Sequence, residues 1–139
     1  MQLADGDRLD CRLREDASAR VDQAGDTAVR RLDEITANGS SEYWVAELAD
    51  GVLQRETAML LRSDAVRSRI HRLILSASDA CGAIGGLQVL RDQFGLVPDA
   101  ISGFCSSSPL GMRELHACTE LPTYNNVDRD LGLIAGLVV

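Results

Sequence analysis

The chain has 139 residues and 45% hydrophobic content, enough for one core without a metal or disulfide staple, and a single domain over 1–139 is expected. Its formal charge is −7 and every basic residue except histidine is arginine, which disfavours phosphate backbones and anionic lipid and leaves no lysine for Schiff-base chemistry. Four cysteines, Cys11, Cys81, Cys105 and Cys118, are widely spaced. With no charged-then-apolar leader and no apolar run long enough for a membrane span, a cytoplasmic protein with free thiols is expected.

In chain order, Leu9, Cys11 and Leu13 alternate with charged neighbours, a period-two pattern that predicts a half-buried strand over 8–14. Asp16 is a candidate cap for a helix to Ala37. Val21, Ala24, Ala28, Leu32 and Ile35 line one side of it, Gly25 weakens its middle, and Asn38-Gly39 supplies a stop. Ser40 or Ser41 opens a second candidate whose apolar side holds Tyr43, Trp44 and Leu48.

Val52, Met59, Val66 and Leu73 repeat at seven, joined by Ile70 and Ala77. That stripe predicts a helical spine over 52–78, with Ser63-Asp64 as an internal restart. The glycines at 82, 85 and 86 argue against helix in that stretch. Leu87–Phe94 reads as a short helix stopped by Gly95, and Pro98-Asp99 opens a short element through Phe104. Ser106 to Pro109 reads as a loop or cap, and Met112–Leu121 as a last helix ended by Pro122. Asn125-Asn126 lies in an exposed turn, and the chain finishes on an apolar run from Leu131 to Val139. The expected fold is mainly α, a compact bundle of about four to six helices with a small strand pairing near the termini, the alternative being a small α+β fold.

Arg55, Arg62 and Arg69 also repeat at seven, with Arg72 one turn beyond. On a continuous helix they form one row, expected as a solvated rim partly paired with the chain's own acids. Leu90, Phe94-Gly95-Leu96 and Ala100-Ile101-Ser102 occupy the places of a helix-turn-helix pattern. Arg91 stands where a small residue packs, Pro98 sits in the recognition position, and no base-reading side chain lies between Val97 and Pro109. A non-binding helix-turn-helix of ordinary packing is therefore expected there.

Cys105-Ser-Ser-Ser, with His116-Ala117-Cys118 downstream, resembles the cysteine motif of ketosynthase-type condensing enzymes. Those enzymes are much longer, have a duplicated α/β architecture and place their histidines far downstream. Cys105 is accordingly not assigned as a nucleophile. No CxxC, HxxxH or HExxH spacing suggests a metal, and no glycine pattern suggests a nucleotide, so no catalytic, metal or cofactor residue is assigned.

What remains is an expectation of a non-enzymatic assembly or interaction protein: a subunit of a larger complex, a virion component or an adaptor. Its candidate contacts are Tyr43, Trp44, Arg62, Arg69, Arg72, Leu133, Ile134, Leu137 and Val138. A protein partner or self-association is expected; nucleic acid, a membrane span and a small-molecule ligand are not. The alternatives are a helix-turn-helix regulator and an acidic immunity or inhibitor protein.

Overall fold

The computed structural model describes residues 5–39, 45–48 and 51–125, with side chains from residue 19 onward. The fold is mainly helical, with one small two-stranded parallel sheet. Residue contacts divide the chain into two compact units, Met1–Arg69 and Ile70–Val139.

The first unit is built on α1 (Asp5–Ala37), against which α2 (Arg55–Arg62) and α3 (Asp64–Arg67) pack. Residues 8–14 belong to α1, correcting the strand reading: a short alternation of charged and apolar residues cannot outweigh the helical run that follows it. The stop is where Asn38-Gly39 placed it, with Gly39 N–H donating to Thr36 O at 3.2 Å and Asn38 Nδ2 to Glu34 O at 2.7 Å. Gly25 does not break the helix. It is buried against Ser63, and a Cβ there would collide with the Ser63 side chain, so the missing side chain permits a close helix contact. Residues 45–48 are exposed and non-helical, against the second helix candidate.

The 52–78 spine is not one helix. Ser63, almost fully buried and extended, ends α2 and starts α3, as the Ser63-Asp64 restart anticipated. Helix then ceases after Arg67, and Ile74–Ser76 is strand β1. The repeat at seven thus runs from a turn (Val52) through α2 (Met59) and α3 (Val66) to the residue before β1 (Leu73). The buried side of α2 is Thr57, Ala58 and Leu61 rather than Met59.

In the second unit, β1 is followed by α4 (Ala80–Phe94), β2 (Ala100–Ser102), a 3-10 turn (Phe104–Ser106) and α5 (Pro109–Cys118). β1 and β2 run parallel in the register Ile74 to Ala100, Leu75 to Ile101 and Ser76 to Ser102. This strand pairing lies mid-chain, not near the termini. The three glycines sit inside α4, correcting the expectation of no helix there. Asp79 caps the helix, Oδ1 accepting from Gly82 N–H at 2.7 Å, and Gly86 lets α4 approach Leu75. Gly95, in the left-handed region at φ 63°, ends α4 as anticipated, with Gly95 N–H on Arg91 O and Leu96 N–H on Leu90 O. Ala80, Ala83, Ile101, Cys105 and Leu115 form the central cluster, with Leu87, Leu90 and Phe94 buried further along α4.

Candidate functional site

Two features of the second unit stand out, the carboxyl ends of its parallel strands and the outer edge of β1. At the strand ends, Gly103 turns the chain at φ 103°, and a Cβ there would stand 2.6 Å from Ala77 O. Only glycine fits this crossing. It brings Cys105 N–H to Ala77 O at 3.0 Å, tying the turn back to the end of β1. Ser106, fully buried, has its hydroxyl 2.5 Å from Tyr124 O and 2.9 Å from Gly103 O; its single proton serves the nearer carbonyl best. Ser108 then caps α5, its Oγ accepting from Gly111 N–H at 3.1 Å, with Pro109 in the first helical position.

Cys105 is 3% exposed and its thiol donates to Ser102 O at 3.2 Å. Burial pushes the thiol above its ordinary range, against the lowering effect of nearby backbone hydrogen bonds. It is therefore held protonated at neutral pH, the opposite of an activated nucleophile. His116 is exposed on α5, and no hydrogen bond between it and Cys105 occurs among the described residues. Cys81 and Cys118 are exposed and unbonded to one another.

The outer edge of β1 has a different character. Asp99 N–H donates to Leu73 O at 2.7 Å and Ala77 N–H to Ser102 O at 3.0 Å. Leu73 and Ala77 thus direct their backbone groups at the β2 side, and Leu75 between them does the same. In a parallel ladder alternate residues face opposite ways, so the N–H and C=O of Ile74 and Ser76 point away from β2. Among the described residues β1 pairs with β2 alone, whereas β2 has a second neighbour through the bridge of Ile101 to Thr123. Among the described residues β1 is the open edge, and Ile74 and Ser76 are both exposed. In the same unit Phe104 (81%), Leu110 (59%), Val97 (55%) and Ile74 (47%) expose large apolar side chains.

The sequence-predicted contacts fall in several places. Tyr43, Trp44, Leu133, Ile134, Leu137 and Val138 lie outside the described residues. Arg62 closes α2, Arg69 follows α3 and Arg72 precedes β1, so the arginines do not form the helical row that their spacing suggested. Arg69 pairs with Asp33, and Arg72 Nη1 donates to His71 O at 3.0 Å with Asp99 Oδ1 3.9 Å away. Ala100-Ile101-Ser102, which fills places of the helix-turn-helix pattern, is strand β2, so this stretch is not a helix-turn-helix. The pattern matched because Gly95 does end a helix; Pro98, fully buried, then directs the chain into extended backbone.

Sequence reasoning missed the edge residues Ile74 and Ser76 and the cap Asp79. Asp79 had a usable signal, an Asp just before an apolar run, which the glycines masked. A shallow depression on the first unit is lined by Ala19, Asp22, Gln23, Asp26, Thr27 and Arg30, all from α1, so it is helix surface without a second wall. Among the described residues no group of three His, Cys, Asp or Glu side chains is placed to hold a metal ion, and no helix is long and apolar enough to cross a membrane. Comparison with protein-family models, curated proteins and solved structures gives no match.

Proposed function

We propose that this is an assembly or interaction protein that works through contacts made by its second unit. The observation that carries the reading is the open β1 edge. A strand edge exposes unpaired backbone donors and acceptors that readily take another strand, and proteins with no use for such an edge shield it with charge, proline or a bulge. β1 is short but carries no charge, proline or bulge: its three residues are Ile, Leu and Ser. A parallel sheet is also ordinarily buried on both sides, and two short strands make an unusually small one. The exposed Ile74, Phe104 and Leu110 add apolar surface of the kind that interfaces cover.

The test is the absolute mass of the full chain by light scattering over a concentration series, alone and with Ile74→Lys and Phe104→Ser combined. Species heavier than 15.0 kDa that the substitutions abolish support the reading. A strict monomer in which the Ile74 and Ser76 amides resist hydrogen exchange overturns it, because the chain itself then covers the edge.

A further inference from the structure

Building on the assembly reading, we infer that the partner of the β1 edge is β1 of a second copy of this chain, paired antiparallel about a two-fold axis at Leu75. Two identical edges paired across a two-fold axis perpendicular to the sheet run antiparallel, because that rotation brings the same patch against itself with the strand direction reversed. Centred on Leu75, this places Ile74 opposite the partner's Ser76, and Ser76 opposite the partner's Ile74. Those are the residues whose N–H and C=O groups point outward. Each opposed pair exchanges two hydrogen bonds, giving about four across the junction. Both outward residues of the strand are satisfied in this register, and the two small sheets become one of four strands.

Charge supports the same register. His71 and Arg72 precede β1 and Asp79 follows it, all three exposed, so antiparallel pairing brings the basic approach of one copy towards the partner's acidic exit. The approach occurs twice by symmetry. A parallel arrangement would set like ends together. Asp79 caps α4 through Oδ1, and its second carboxyl oxygen takes no part in that bond, so the cap and the junction do not compete.

The two-fold axis also runs perpendicular to the sheet, so both α4 helices lie on the same face. Leu75 and the partner's Leu75 then sit side by side beneath them. On the opposite face each exposed Ile74 is partly covered by the partner strand.

The experiment uses the full chain in light scattering at low salt, with hydrogen exchange read residue by residue. The expected result is a mass rising from 15.0 kDa towards twice that value. Ile74→Lys should shift the midpoint at least tenfold to higher concentration, while Leu53→Lys, another exposed apolar position, leaves it unchanged. Asp79→Ser keeps a competent helix cap but removes the charge, and should weaken association severalfold at low salt and little at high salt. Self-association indifferent to Ile74→Lys overturns the β1 junction and leaves the assembly reading standing. A monomer whose Ile74 and Ser76 amides exchange freely overturns the second copy as occupant, and leaves the edge open for a different protein. A monomer with those two amides protected overturns both.

Discussion

The two units of this chain are held together in different ways. In the first, α1 is a 33-residue helix whose described side chains are mostly exposed, and only Gly25, Thr57, Ala58, Leu61 and Ser63 are buried among the described residues. Its order comes mainly from local hydrogen bonds and from pairs such as Arg31 with Glu34, three residues apart at 3.1 Å. In the second, short elements surround a buried cluster, and each is located by residues distant in sequence: β2 by β1, the 3-10 turn by Ala77, residues 122–124 by Ile101. A single side chain should therefore matter far more in the second unit than in the first.

The sharpest way to test that contrast is Leu115→Ala. Leu115 is fully buried against Ile101 and Cys105, so its truncation should cost about 2–5 kcal/mol in urea unfolding monitored on the second unit. Next comes Gly103→Ala, which combines a positive φ with a close approach to Ala77 O and should cost about 1–3 kcal/mol. Ser108→Ala removes the α5 cap, with an expected loss of about 1 kcal/mol and fraying of its first turn by NMR. At the small end, Asp33→Ala in the first unit breaks the exposed pair with Arg69 and should change stability by less than about 1 kcal/mol. A loss at Asp33 as large as that at Leu115 would overturn the distinction.

Cys105 sharpens it by pH. Its folded-state thiol titrates above the ordinary value of 9.0, so the folded state holds the proton more tightly than the unfolded chain. The stability this contributes is complete below pH 9 and is lost as pH rises through the higher folded value. At pH 7.5, iodoacetamide should label Cys81 and Cys118 well before Cys105, whose modification should follow unfolding. Equal labelling of all three would show that the core is open.

Much of the helical content was legible in the residues, and what was legible was local. Asn38-Gly39 and Gly95 end helices because they need no distant partner to do so, and Ser108-Pro109 starts one for the same reason. The strands were illegible. Ile74-Leu75-Ser76 lies between Leu73 and Ala77 of the apolar stripe, and only pairing with residues 100–102, far along the chain, makes it extended. The glycines in α4 misled because their local cost is plain, whereas the contact of Gly86 with Leu75 that uses one of them depends on tertiary structure. The candidate site follows the same rule. An edge is a property of a sheet, so Ile74 and Ser76 could not be singled out before the sheet was known. The cysteine motif was visible, but not the burial that keeps its thiol protonated.

The parallel pairing of β1 with β2 also bears on how the second unit is reached from the unfolded chain. No hairpin can join parallel strands, so Leu75 cannot find Ile101 until the intervening segment has doubled back. α4 does most of that: 15 residues of helix cover about 22 Å in a fixed direction and leave only short connections to close. The helix acts as a ruler that determines where β2 arrives. One residue inserted in its middle would rotate everything beyond by about 100°, carrying Leu87, Leu90 and Phe94 off the buried side together. Folding of this unit should therefore be slowed by changes that weaken α4, and the strands should join late, their short ladder being the last part to form and the first to open.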